Sequence, residues 1–190
     1  RMMAKAGLKW TFVGFESGSQ EVLNGYGKKA RVQDALKAME ILKENDVGVT
    51  GSFILGALNE TKDMMRETIS LAKSLNPTTA QFSILTPYPG TKLYERVKDQ
   101  LLTKNWEMYT GIHPTIKLDH VSPEELRRLY IMACLSFYGR LGKIFENMHY
   151  IRKIFLSLLK LLASKLFLRR LNSFSAFFLD IRKYFIGICV

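Results

Sequence analysis

Apolar residues recur along the first hundred positions in two alternating rhythms. Residues 9–15 (KWTFVGF) form a short β-branched and aromatic run behind Gly7 and predict a strand. Over 31–46, Val32, Ala35, Leu36, Met39, Ile41 and Leu42 recur near every 3.6 residues and predict an amphipathic helix. Residues 47–55 (VGVTGSFIL) predict a second strand, ended by Gly56. Over 61–75, Met64, Met65, Thr68, Ile69, Ala72 and Leu75 predict a helix that Pro77 stops. Residues 79–85 (TAQFSIL) predict a third strand, and a helix is expected from about Lys92 to Leu102. Strands that alternate with helices at this spacing form βαβ units, so the strands are expected to be parallel, with right-handed crossovers.

In such folds ligands bind beyond the carboxyl ends of the strands. Three polar segments follow the three strands: Glu16 to Ser19, Gly56 to Thr61, and Thr86 to Thr91. All three belong on one rim. A carboxylate and a hydroxyl at Glu16 and Ser17 could bind vicinal hydroxyls such as those of a ribose. Ser17 or Ser19 could instead cap the helix starting at Gln20, and for Ser19 the cap is the expectation. Glu16 is expected to face a ligand, because a carboxylate at a strand end is costly to bury without a partner. Gly51 fits either close approach of a ligand or crowding of the sheet, and Gly56 would let the chain pass near a flat ring. Asn59 and Thr61 are candidate caps, and Glu60 reads as a first-turn carboxylate favoured by the helix dipole. Pro87, Pro89 and Gly90 stiffen the third turn, where Tyr88 would present an aromatic face.

Charge divides the chain. The 190 residues carry a net charge of +11, with 47% hydrophobic and 24% charged residues, a globular composition. Residues 1–125 hold 16 Lys/Arg against 15 Asp/Glu, whereas residues 126–190 hold 12 against only Glu146 and Asp180. Ser122, Pro123 and Glu125 signal a helix start, and that helix is expected to reach about Tyr138. From Tyr150 onward, leucines and aromatics alternate with Arg and Lys. Cations interrupt this stretch too often for it to span a bilayer. Its wide apolar face and basic polar face suit the surface of an anionic membrane, or packing on another domain. The aromatics share the leucine face, so no nucleic-acid partner is expected.

Cys134 and Cys189 are the two cysteines, too few for an all-thiolate cluster within this chain. His113, His120 and His149 show no metal-ligand spacing, so no metal site is proposed on them. Cys134 is expected to be a core thiol beside Ala133 and Leu135. No P-loop or nucleophile-elbow motif is present. The chain opens at Arg1, one turn before a helix stop at Gly7. Three parallel strands are too few for a closed barrel. Both features suggest a piece cut on its N-terminal side.

Three blocks carry a resemblance over about residues 1–115: FVGFESGSQEVL (12–23), GVTGSFILG (48–56) with Glu60-Thr61, and TPYPGT (86–91). In this order and spacing they resemble the later half of the radical S-adenosylmethionine core, in the subgroup with an N-terminal cobalamin-binding domain. The resemblance implies an α/β fold, the last three βα units of a partial (β/α)6 barrel, and the charge and apolar patterning read above adds a basic amphipathic helical region after it. The chain is thus expected to divide into a partial core (1–115), a linker and packing helix (116–149) and a basic tail (150–190). The resemblance implies S-adenosylmethionine contacts at Glu16 and Ser17, at Gly51, Phe53, Gly56 and Glu60 beside the adenine, and at Leu85, Thr86 and Tyr88 closing over it. The family's C-x-x-x-C-x-x-C motif, which binds a [4Fe-4S] cluster, is absent here. The cluster and any cobalamin would lie upstream, so this chain alone should not start radical chemistry, and no catalytic residue is assigned.

For the whole protein the resemblance implies cleavage of S-adenosylmethionine to start a methylation or oxidative cyclisation. A hydrophobic substrate such as a lipid or tetrapyrrole is expected, at the cytoplasmic face of the membrane. The alternatives are a non-catalytic peripheral membrane module and a non-radical barrel enzyme that binds a nucleotide or phosphate.

Overall fold

The computed structural model describes residues 1–146, so the expected tail over 150–190 lies outside the described residues. The chain divides into two compact units, Arg1–Phe137 and Tyr138–Val190. In the first, a short helix α1 (Met2–Lys5) precedes strand β1 (Trp10–Glu16), followed by α2 (Gln20–Gly25) and α3 (Val32–Glu44). Then come β2 (Gly48–Leu55), α4 (Lys62–Leu75), β3 (Thr79–Ile84), α5 (Lys92–Val97) and α6 (Pro123–Tyr138), whose last residue opens the second unit. That unit also holds α7 (Leu141–Glu146).

The three strands form one open parallel sheet in the order β1-β2-β3. Helices flank it, and among the described residues the elements after β3 are helices, as expected for part of a barrel. Parallel pairing aligns Val13, Gly51 and Ala80 across the sheet. Side chains alternate from that row. One face carries Phe15, Val49, Phe53, Leu55, Ala80, Phe82 and Ile84, all buried. Its centre is an aromatic stack. Phe53 lies 5.7 Å from Phe15 and 5.4 Å from Phe82 by ring centroid, and Phe82 meets Phe137 of α6 edge-on at 6.3 Å.

The opposite face is open. Trp10 is 51% exposed and Phe12 60%. Polar side chains fill the rows beside them: Trp10 Nε1 donates to Thr50 Oγ1 (2.9 Å), and the Thr50 and Thr79 hydroxyls are hydrogen-bonded (2.9 Å).

Four expectations for the helices need adjustment. The helix after β3 ends at Val97, because residues 98–100 tighten into a 3-10 turn and Leu101 bridges Ile116. In α3 only Met39 is buried, whereas Leu36 and Ile41 are exposed. Cys134 is half-buried rather than a core thiol, since Ala133 is the residue of that turn that faces inward. Pro77 is not what ends α4: Asn76 adopts the left-handed conformation (φ 45°) and closes the helix first. The Ser122 start stands as a reciprocal cap. Ser122 Oγ accepts from Glu125 N, and Glu125 Oε2 accepts from Ser122 N.

Phe53 is fully buried between two rings, so Phe53→Ala should cost about 3–5 kcal/mol. Urea unfolding checks this value.

Candidate functional site at the strand-end rim

The turn after β1 is built from Glu16 upward. A bulge shifts the register between Gly14 and Glu16, and Glu16 takes a left-handed backbone (φ 65°), rare for a residue with a side chain. Its carboxylate folds back over Gly14, into space that a β-carbon there would occupy, on the open face. Lys28 Nζ lies 2.9 Å from Glu16 Oε1 and also donates to the Gly14 carbonyl (2.9 Å). Glu16 is therefore not an unpartnered carboxylate: its partner is Lys28.

Ser17 turns the other way and is fully buried. The Thr68 hydroxyl donates to the Met64 carbonyl (3.1 Å), so in its 3.0 Å contact with Thr68 the Ser17 hydroxyl is the donor. Ser17 Oγ also accepts from Ser19 N (3.1 Å), and Gly18 N donates to Thr68 Oγ1 (2.9 Å). Gly18 is required here, since a β-carbon would sit 2.5 Å from the Glu67 carbonyl oxygen of α4. The Ser17–Ser19 turn thus docks β1 onto α4. Ser19 occupies the cap position of α2, but its side chain makes no capping bond.

The turn after β2 is organised by Glu60, which is 1% exposed. It precedes α4; Thr61 is the cap residue, its hydroxyl accepting from Met64 N (3.3 Å). Glu60 does not complement the helix dipole from the first turn as expected. Its Oε2 accepts from Gly56 N (2.6 Å) and Ala57 N (2.9 Å), clamping the loop shut. Oε1 is buried and has no hydrogen-bond partner. Burial pushes the Glu60 carboxyl up to about 7, against the lowering effect of the Ala57 and Gly56 N–H groups. Gly56 has φ +85°, and a β-carbon there would lie 3.0 Å from Leu126 of α6.

Gly51 and Phe53 are not at the rim. A β-carbon at Gly51 would lie 3.1 Å from both the Phe15 ring and Pro77, so this glycine accommodates sheet crowding. Phe53 is part of the core stack.

At the third turn, Leu85 is half-buried and its N–H donates to the Leu55 carbonyl (2.8 Å). The buried Thr86 hydroxyl donates to the Ile84 carbonyl (2.9 Å). Tyr88 is 51% exposed, and its hydroxyl donates to the Tyr109 carbonyl (3.3 Å).

A cavity of about 660 Å³ opens between α2, the β2–α4 loop, Leu85 and α5. Val22, Met64, Leu85 and Leu93 supply apolar lining, Lys92 and Arg96 contribute cations, Glu60 is buried and Tyr26 half-buried. The Tyr26 hydroxyl is buried without a hydrogen-bond partner. Burial, then the Glu60 and Glu16 carboxylates, raise its pKa and keep it protonated. Of the nine residues expected at the site, the structure thus brings Glu60 and Leu85 to the cavity and Glu16 to the open face. It adds Tyr26 and Lys28. Among the described residues no group of three or more His, Cys, Asp or Glu could hold a metal ion.

Residues 1–72 match the Radical SAM superfamily model. An uncharacterized methyltransferase of Pyrococcus horikoshii is 38% identical over 159 residues, which is 80% of this chain and 35% of that protein. An anaerobic magnesium-protoporphyrin IX monomethyl ester cyclase of Cereibacter sphaeroides is 30% identical over 75% of this chain and 25% of its own length. The bacteriochlorophyllide d C-8(2)-methyltransferase of Chlorobaculum tepidum is 29% identical over 65% of this chain and 28% of its own length. The chain spans about a third or less of the length of these curated relatives. A solved structure of TsrM from Kitasatospora setae, a radical S-adenosylmethionine methyltransferase with cobalamin and a [4Fe-4S] cluster bound, overlaps with TM-score 0.48 and 19% identity. The overlap covers 68% of this chain and 27% of that one.

The raised Glu60 pKa sets a sign for stability. The folded state holds this proton up to about pH 7, and the unfolded chain releases it near 4.5. The Glu60 contribution to stability is therefore present below the unfolded value and lost as pH rises through 7. Denaturation midpoints measured at pH 5 and pH 8 should fall with pH. The Glu60→Gln variant, which keeps an oxygen for both N–H groups, should flatten that fall. Over residues 1–72 the chain is therefore similar to the Radical SAM superfamily, and its similarity to these relatives extends over 65–80% of the chain.

Proposed function

We propose that this chain is the C-terminal portion of a radical S-adenosylmethionine enzyme of the cobalamin-binding-domain subgroup. The observation that carries this reading is the placement of Glu16 and Glu60 in one matched stretch, at the carboxyl ends of adjacent parallel strands. Three strand-end turns, an uncovered sheet face and a cavity of about 660 Å³ lie together there. In full length the enzyme would cleave S-adenosylmethionine with a [4Fe-4S] cluster and start a methylation or an oxidative cyclisation.

The residues present fit S-adenosylmethionine and not the cluster. Two cysteines cannot supply a cluster's thiolates, so its ligands belong to another part of the protein, as would a cobalamin domain. By itself the chain is inactive in that chemistry. Its own residues bind and orient. Glu16, held by Lys28, offers carboxylate oxygens to a ribose. Gly56 and Glu60 present the loop edge to a flat ring, and Leu85, Thr86 and Tyr88 border it. The cofactor, when bound, supplies the radical precursor.

A hydrophobic substrate is proposed, a tetrapyrrole or a lipid. The support is that relatives named above act on a magnesium-protoporphyrin ester and a bacteriochlorophyllide. We further infer that residues 150–190 bind an anionic membrane surface, which would place the protein in the cytoplasm, peripherally on the membrane. The charge asymmetry of the chain supports this. No helix among the described residues is long and apolar enough to cross a membrane.

Two experiments test this reading. The chain expressed with its upstream coding sequence should bind iron and sulfide anaerobically and release 5′-deoxyadenosine from S-adenosylmethionine under reduction. An upstream sequence without the cysteine motif, and no release, would remove the enzyme reading. The 190-residue chain should float with anionic liposomes, and removal of residues 150–190 should abolish flotation. Equal flotation of both would sink the membrane reading.

A further inference from the structure

Helix α6 (Pro123–Tyr138) turns Leu126, Leu129, Ala133 and Phe137 inward, and all four are buried. The outward face of a helix packed in this way is ordinarily polar. Here it carries Ile131, Met132 and Leu135, all exposed, Leu135 to 67%. With Arg128 and Ser136 they line one open depression on the surface. A contiguous apolar patch left in water marks a face on which something docks.

Charge identifies what docks. The acids of α6 are confined to its first turn, Glu124 and Glu125, and Glu125 is paired with Lys62. Beyond them the only charged residues of α6 are Arg127 and Arg128. Both are exposed, and neither has an ion pair or hydrogen bond among the described residues. They precede Ile131 by four and three positions, so they neighbour it on the same face. An arginine stem can lie along apolar surface while its guanidinium reaches outward to an anion. Residues 126–190 hold 12 Lys/Arg against only Glu146 and Asp180, so a second copy of this chain would set the same excess of cations against itself. A partner that is apolar within and anionic at its surface satisfies both the apolar stripe and the arginines. A bilayer of anionic lipid is that partner.

We propose that the outward face of α6, formed by Ile131, Met132 and Leu135 with Arg127 and Arg128, lies on the surface of an anionic membrane. This rests on the membrane reading given above for residues 150–190 and carries it into the folded core. The helix also starts at the strand-end rim, where Leu126 lies beside Gly56 and Glu125 pairs with Lys62. A membrane on this face therefore adjoins the rim, the side from which a lipid-dissolved substrate would arrive.

The test places the photo-crosslinker p-benzoylphenylalanine at position 135, and in a second protein at the exposed Glu67 of α4, each in the full 190-residue chain. Both are irradiated with phosphatidylcholine vesicles, with and without phosphatidylglycerol. Lipid adducts are expected from position 135 and not from position 67, and they should depend on phosphatidylglycerol. Arg127→Gln combined with Arg128→Gln should lower partition into the anionic vesicles about 10- to 30-fold. Vesicle-bound protein without lipid adducts at 135, or with equal adducts at both positions, would overturn the inference and leave the reading of residues 150–190 intact. Partition unchanged by the arginine substitutions, or a cross-link from 135 to a second copy in place of lipid, would do the same. Failure of the unaltered chain to bind anionic vesicles would overturn both.

Discussion

The stack of Phe15, Phe53, Phe82 and Phe137 is the interaction on which the rest of the structure depends. It takes one ring from each strand and one from α6, so a single layer of aromatic contact sets strand register and holds the last long helix against the sheet. Parallel strands must be joined by long crossovers, and their pairing is slightly weaker per residue than antiparallel pairing. Burial on one face must make up the difference. With the strands held in register by these rings, their carboxyl ends lie side by side, and the three turns that follow share one rim.

The rim is held by two devices of different character. At β1 the Ser17–Ser19 turn is spent on α4: each hydroxyl proton between Ser17 and Thr68 has an acceptor within the protein. At β2 the Glu60 carboxylate closes the loop with one oxygen and leaves the other buried and unpaired. Polar groups that bond to each other rigidify a turn. A buried polar group left without a partner costs stability instead. The same distinction separates Ser17 from Glu16, whose carboxylate stays on the open face under the hold of Lys28.

The elements themselves were legible because apolar rhythm and turn residues agree along residues 9–84. Side-chain direction was not. The β2 sequence from Val49 to Leu55 is apolar or small at nearly every position, so a period of two cannot tell which side of the strand meets the core. Stacking of Phe53 on Phe15 and Phe82 decides it. Glu60 lies two residues earlier relative to the helix start than expected, because Thr61 and Asn59 are both good caps and only the Thr61 bond to Met64 N selects between them. Gly18 escaped notice because the close carbonyl of Glu67 comes from a helix some fifty residues on. Tyr26 and Lys28 sit in a short polar segment with no periodicity; their roles arise from tertiary placement alone.

The central claim is that the strand-end rim is a nucleoside-binding surface preformed by the Glu60 clamp. Amide hydrogen exchange on the 190-residue chain, with and without 5′-deoxyadenosine, tests it most directly. The account predicts slow exchange at the Gly56 and Ala57 amides in the free chain, and added protection on ligand binding confined to the rim turns and α2. Fast exchange at both amides, or protection absent from the rim, would contradict it.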